Sequence, residues 1–146
     1  MKKQILNVVV TLSVIATLSI AVFARLTTSL KANIPFDFSI NEKTLPAGHY
    51  TVEPTTSGTL MIRNWESKRG VLVIAQSCEV SAHNKLQLIF HRYGNQYFLA
   101  KALGDTNGSE LMKSKAEREA TKARRDDLTM KDATPEIVTV SAQVGQ

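Results

Sequence analysis

Between Ala32 and Gly104 the chain repeats one theme: short alternations of apolar and polar residues, separated by clusters of turn formers about every 8 to 14 residues. The clearest instance is Ile34–Val52, IPFDFSINEKTLPAGHYTV. Ile34, Phe36, Phe38 and Ile40 alternate with Pro35, Asp37, Ser39 and Asn41, the period of two that marks a strand with one buried face. Asn41, Glu42 and Lys43 resist burial, Pro46-Ala47-Gly48 supplies a fixed φ and then a permissive one, and Tyr50 and Val52 resume the alternation. The stretch therefore predicts a strand, a turn and a second strand.

Extended to the rest of the region, the pattern predicts strands at Asn33–Ile40, His49–Thr55, Thr59–Trp65, Gly70–Cys78, Lys85–Arg92 and Gln96–Leu103. The loops between them are too short for parallel crossovers, so neighbouring strands should run antiparallel. The predicted fold class is all-β, a small antiparallel barrel or sandwich of about six strands followed by a charged C-terminal helix. The alternation nominates an inward set of Ile34, Phe36, Phe38, Tyr50, Val52, Leu60, Ile62, Leu72, Ile74, Leu86, Leu88, Phe90, Phe98 and Ala100. Each such side chain contributes about 1.5–3 kcal/mol when fully buried, enough for one core without metal or disulfide. Trp65, next to a charged turn, is expected at the rim.

After Gly104 the pattern changes. Ser114 and Glu117 form a capping box at the start of Ser114–Arg125, where Ala116, Ala120 and Ala123 make a narrow, weakly apolar stripe among charges of both signs. This predicts a solvated helix. Pro135–Gln146 alternates Val138, Val140, Ala142 and Val144 and reads either as an added strand or as a disordered end; as a terminal segment with nothing evident to tie it down, it is assigned to disorder. The domain expectation is thus a signal segment at 1–24, a β domain at 33–104, and a charged helix with a disordered tail at 105–146.

The signal expectation rests on Lys2 and Lys3, the apolar run Ile5–Ala24, and Arg25 directly after it. The run is long enough to serve as an uncleaved anchor, but the small residue Ala24 favours cleavage there over Ala32. With no cysteine after the run, acylation of the lipoprotein type has no acceptor. The expected location is secreted or periplasmic. Cleavage leaves about 120 residues, one domain in size. It also lowers the formal charge from +5 to +3, since Lys2 and Lys3 leave with the segment. Arg63, Lys68, Arg69, Lys85, Arg92 and Lys101 are scattered over strand ends and turns, so no nucleic-acid partner is expected. The single cysteine, Cys78, rules out an internal disulfide and ends an apolar strand, where a buried, slow-reacting thiol is expected.

Candidate chemistry is sparse. His49, His83 and His91, with Cys78, lack the spacings that bring metal ligands onto one face. His91 stands out, because alternation places it opposite the core face. Asp37, Glu42, Glu53, Glu66 and Glu79 show no pairing suited to acid–base work, and Ser39, Ser57, Ser77 and Ser81 lack a nucleophile elbow. No catalytic, cofactor-binding or metal residue is predicted, and no cofactor.

With LMIRN, KLQLIFHRYGNQYFLAKAL and ELMKSKAERE further along, the Ile34–Val52 motif resembles a family of small exported bacterial proteins that share an IPF-F-V…LPAG-Y-V opening, a KLVFHRYG-YFL strand pair and an EL-KS-AERE tail. The likeness spans about Ile34–Glu119 and departs at Met112, where the family often carries proline. It implies export and a domain boundary, and no activity. The functional expectation is an exported, non-enzymatic β domain with a binding or envelope role; the alternatives are a small barrel carrying an apolar ligand inside, or an enzyme with an unrecognised site.

Overall fold

The computed structural model describes residues 29–55, 58–80, 85–126 and 134–145. The expected signal segment 1–24 lies outside the described residues, as do Ser57, Ser81 and His83. The strands are β1 (Ser29–Ile34), β2 (Phe38–Ile40), β3 (Lys43–Leu45), β4 (Gly48–Pro54), β5 (Thr59–Asn64), β6 (Gly70–Cys78), β7 (Gln87–Tyr93), β8 (Gln96–Leu103), β9 (Gly108–Leu111) and β10 (Glu136–Gly145), with helix α1 at Lys115–Asp126. Eight of the strands close on themselves in the cyclic order β1-β4-β5-β6-β9-β8-β7-β10, every neighbour antiparallel. Closure removes the sheet edges that an open meander would expose. The all-β class was legible from the alternation, which left barrel and sandwich open; the structure is a barrel, and the count of about six strands was too low.

The opening motif is more elaborate than one hairpin. Pro35 has no N–H for the ladder, and β1 ends at Ile34, opposite Gly48. The chain then makes an excursion. Phe36 stacks on Tyr97 (3.9 Å between ring centroids) and meets Phe90 edge-on at 5.2 Å. Phe38 turns into the core between Tyr50 and Phe90. A two-residue turn with Asn41 at φ +55° joins β2 to β3, a conformation asparagine tolerates. Two hydrogen bonds hold the excursion, from Ala47 N–H to Asp37 Oδ1 (2.8 Å) and from Tyr50 Oη to Pro46 O (2.7 Å). The small β2–β3 hairpin meets β8 through a parallel contact at Ser39 and Phe98.

Most of the expected core is inside: Ile34, Phe38, Tyr50, Val52, Leu60, Ile62, Leu88 and Phe90 are buried in one cluster with Leu30, Ile40 and Leu99. In β6 the expected phase is inverted. Val73 and Ala75 are buried, whereas Leu72 and Ile74 are 55% and 68% exposed on the outer wall. Val71–Ala75 is apolar at every position, so its alternation carries no phase; the register with β5 sets it, putting Val73 opposite buried Leu60. Phe98 and Ala100 are buried but outside the main cluster. A bulge between Ile89 and Phe90 pairs Ile89 with Lys101 and Phe90 with Leu99, leaving Ala100 as the extra residue and setting Phe98 opposite outward-facing His91.

The expected boundary at Gly104 does not hold. β9 closes the barrel between β6 and β8. Glu136–Gly145, expected as a disordered end, is β10, paired with β7 on one side and β1 on the other. Val138, Val140 and Ala142 pack against the core. The segment is tied down on both edges, a long-range condition that no local pattern announces.

Candidate functional site

Among the described residues, two places combine polar groups in a way the barrel alone does not require. The first lies under α1, where the helix rests on β7. His91 and Tyr93, two apart on that strand, share its outward face. Ser114, just before the helix, accepts a hydrogen bond from the Glu117 N–H at 3.1 Å, the first half of the expected capping box. The second half is absent. Instead of turning back to the cap, the Glu117 carboxylate reaches the strand: Oε1 lies 2.7 Å from His91 Nδ1 and accepts from Tyr93 Oη at 3.3 Å. Lys113 Nζ donates to the same phenol oxygen at 3.4 Å, and Thr121 Oγ1 donates to the Glu117 carbonyl at 2.9 Å. Glu117 is 4% exposed. Tyr93 is buried as well, edge-on to Phe98.

The docking face of α1 is therefore polar. Glu117 reaches the strand, with Ser114 and Thr121 bonded to its main chain, while Ala116 and Ala120 are only half-buried and Ala123 is exposed. The expectation of a solvated helix is corrected: the buried Glu117 carboxylate ties α1 to β7 through His91 and Tyr93. Chemically this is a closed set. The carboxylate oxygen that orients His91 also receives the nearby phenol, so the hydrogen bonds hold α1 in place and are spent within the cluster.

The second place is a groove of about 230 Å³ lined by Ile40, Asn41, Glu42, Lys43, Gly70, Val71 and Leu72. It lies where the turn of the β2–β3 hairpin and its flanking residues Ile40 and Lys43 approach the beginning of β6. Further along the outer wall stand exposed Leu72 and Ile74, and at the β5–β6 turn exposed Trp65, with Lys31 Nζ 5.3 Å from its ring centre and His49 edge-on at 6.4 Å.

The remaining candidates are dispersed. Asp37 serves the Ala47 amide, Glu42 lies on the hairpin turn, Glu53 on β4, Glu66 on the β5–β6 turn, and Glu79 follows β6. Ser39 pairs with Thr44, and Ser77 with Ser109 across β6 and β9. Cys78 is half-buried beside Gly108. Among the described residues, no three of His, Cys, Asp and Glu are grouped to hold a metal ion. Compared with protein-family models, curated proteins and solved structures, the chain finds no match. The sequence did single out His91; it gave no sign that Glu117, 26 residues on, would be its partner.

Proposed function

We propose that the protein is an exported, non-enzymatic β-barrel that works as a binding module through its outer surface, in the periplasm or outside the cell. The observation that carries this reading is the filled interior. Tyr50, Phe38, Phe90, Ile34, Ile40, Leu60, Ile62, Leu88 and Val52 are each less than 2% exposed or close to it and occupy the space in which a carrier barrel would hold its ligand. The polarity of the wall supports an aqueous setting, because outward positions such as Asn33, Thr51, Arg63, Thr139 and Gln143 are polar while inward ones are apolar, the reverse of a membrane-spanning barrel. The exposed Leu72, Ile74 and Trp65 supply contact area on that wall.

The test is to purify the protein from its native compartment, extract it with organic solvent and analyse the extract by mass spectrometry. In parallel, photo-crosslinking residues are placed at Ile74 on the outer wall and at inward-facing Val73. Adducts formed from Ile74 with a lipid-free extract support the reading. A stoichiometric apolar molecule in the extract, or adducts formed from Val73, overturns it in favour of an interior carrier.

A further inference from the structure

Among the described residues, the barrel wall carries a notch with an unpaired strand edge on each side. Along β6, Asn64 N–H donates to Arg69 O at one end and Ala75 N–H to Gly58 O at the other. Between them Val71 faces Ile62 and Val73 faces Leu60. In an antiparallel ladder, residues alternate in the edge to which they direct their main-chain groups, so Val71 and Val73 bond to β5 while Gly70 and Leu72 point the opposite way. That opposite edge is covered by β9 only from Ala75 to Cys78. Gly70 and Leu72 therefore present main-chain donors and acceptors that no described strand meets.

Across the groove is β3. It pairs with β2 alone and ends the strand order among the described residues. Ile40 and Lys43 flank a two-residue turn and exchange hydrogen bonds, so Thr44, the next residue, turns its amide and carbonyl to the free edge. Ile40, Val71 and Leu72 give the groove an apolar lining. Glu42 and Lys43 are the charged residues of its lining, and exposed Arg63 (paired with Gly70), Lys68 and Arg69 (directly before β6) outnumber exposed Glu66 around that end of the strand. None of these six takes part in an ion pair found among the described residues.

We infer that this notch is a strand-accepting site, which binds an extended segment of a partner polypeptide by adding it to the sheet beside β6 and β3. Main-chain hydrogen bonds to Leu72 and Thr44 supply sequence-tolerant affinity, and side chains of alternating direction supply selectivity. Inward positions of the guest strand should be small and apolar, and outward positions acidic, to match the basic rim. The inference deepens the outer-surface reading and rests on it.

The probes are two synthetic peptides, one alternating valine with glutamate and one alternating valine with lysine, titrated against the mature chain by fluorescence anisotropy while amide hydrogen exchange is followed by NMR. In the free protein the Leu72 and Thr44 amides should exchange much faster than those of Val71 and Val73. The valine–glutamate peptide should bind and protect Leu72 and Thr44. N-methylation of its alternate amides should weaken binding about tenfold or more, and K43E/R69E should reverse the preference between the two peptides. The inference fails if Leu72 is as protected as Val73 in the free monomer, if a dimer of the chain itself buries this edge, or if neither peptide binds at about 1 mM. Failure with a lipid-free interior removes the notch alone, whereas lipid in the interior removes the outer-surface reading.

Discussion

His91 on β7 and Glu117 on α1 meet at 2.7 Å, joining a helix of mostly charged residues to the wall of the barrel. The carboxylate side chain is 5% exposed and the imidazole 18%, so both are largely withdrawn from water and lean on one another and on Tyr93. Replacing Glu117 with alanine should cost about 2–3 kcal/mol in chemical denaturation, because it removes charge-assisted bonds and leaves buried Tyr93 short of an acceptor. Glu119→Ala, on the exposed side of the same helix, should stay within about 0.5 kcal/mol. Equal effects at the two positions would show that α1 is not anchored through Glu117.

Burial of Tyr50 links stability to alkaline pH. Burial raises its phenol above the ordinary value of 10.0, the charges of Asp37 and Glu66 raise it further, and a hydrogen bond with Asn64 acts in the opposite direction. The folded state thus holds this proton more tightly than the unfolded chain does. Its contribution is fully present below pH 10.0 and is lost as pH rises through the raised value. At neutral pH Tyr50→Phe should cost about 1 kcal/mol for the lost bond to Pro46 O. Denaturation from pH 8 to about 11.5 should show that gap narrowing above pH 10.0 as the native protein alone loses stability; a constant gap would refute the assignment.

The phase of β6 can be read by paired substitutions. Val73→Ala removes two buried methyl groups and should cost about 2 kcal/mol. Leu72→Ser and Ile74→Thr, on the outer wall, should change stability by less than about 0.5 kcal/mol. If the outer pair proves the costlier, the β5–β6 register is shifted by one residue.

β10 is structural. A chain ending at Thr134 loses both ladders of that strand and leaves β1 and β7 with bare edges. It should fail to show a cooperative unfolding transition by circular dichroism, whereas Val144→Ala, at an exposed position, should unfold like the native chain. A truncated chain with a sharp transition close to the native one would mean that the barrel closes without β10.

The sequence by itself determined the strand character of the central region, the compositional break after Gly104, the helix and its Ser114 cap, and most of the core, because alternation, turn residues and capping are local properties of adjacent positions. It left open whatever depends on partners far along the chain. Val71–Ala75 is apolar throughout and takes its phase from β5. Val138, Val140 and Ala142 look like a loose end until β1 and β7 flank them. The charged residues of α1 read as a solvated helix, yet it is tied to the barrel by Glu117, whose partner His91 lies 26 residues away. Closure decided these points: once eight strands form a ring, each inward position is filled and each outward one competes for water, and the groove between the β2–β3 hairpin and the start of β6 exists only in three dimensions.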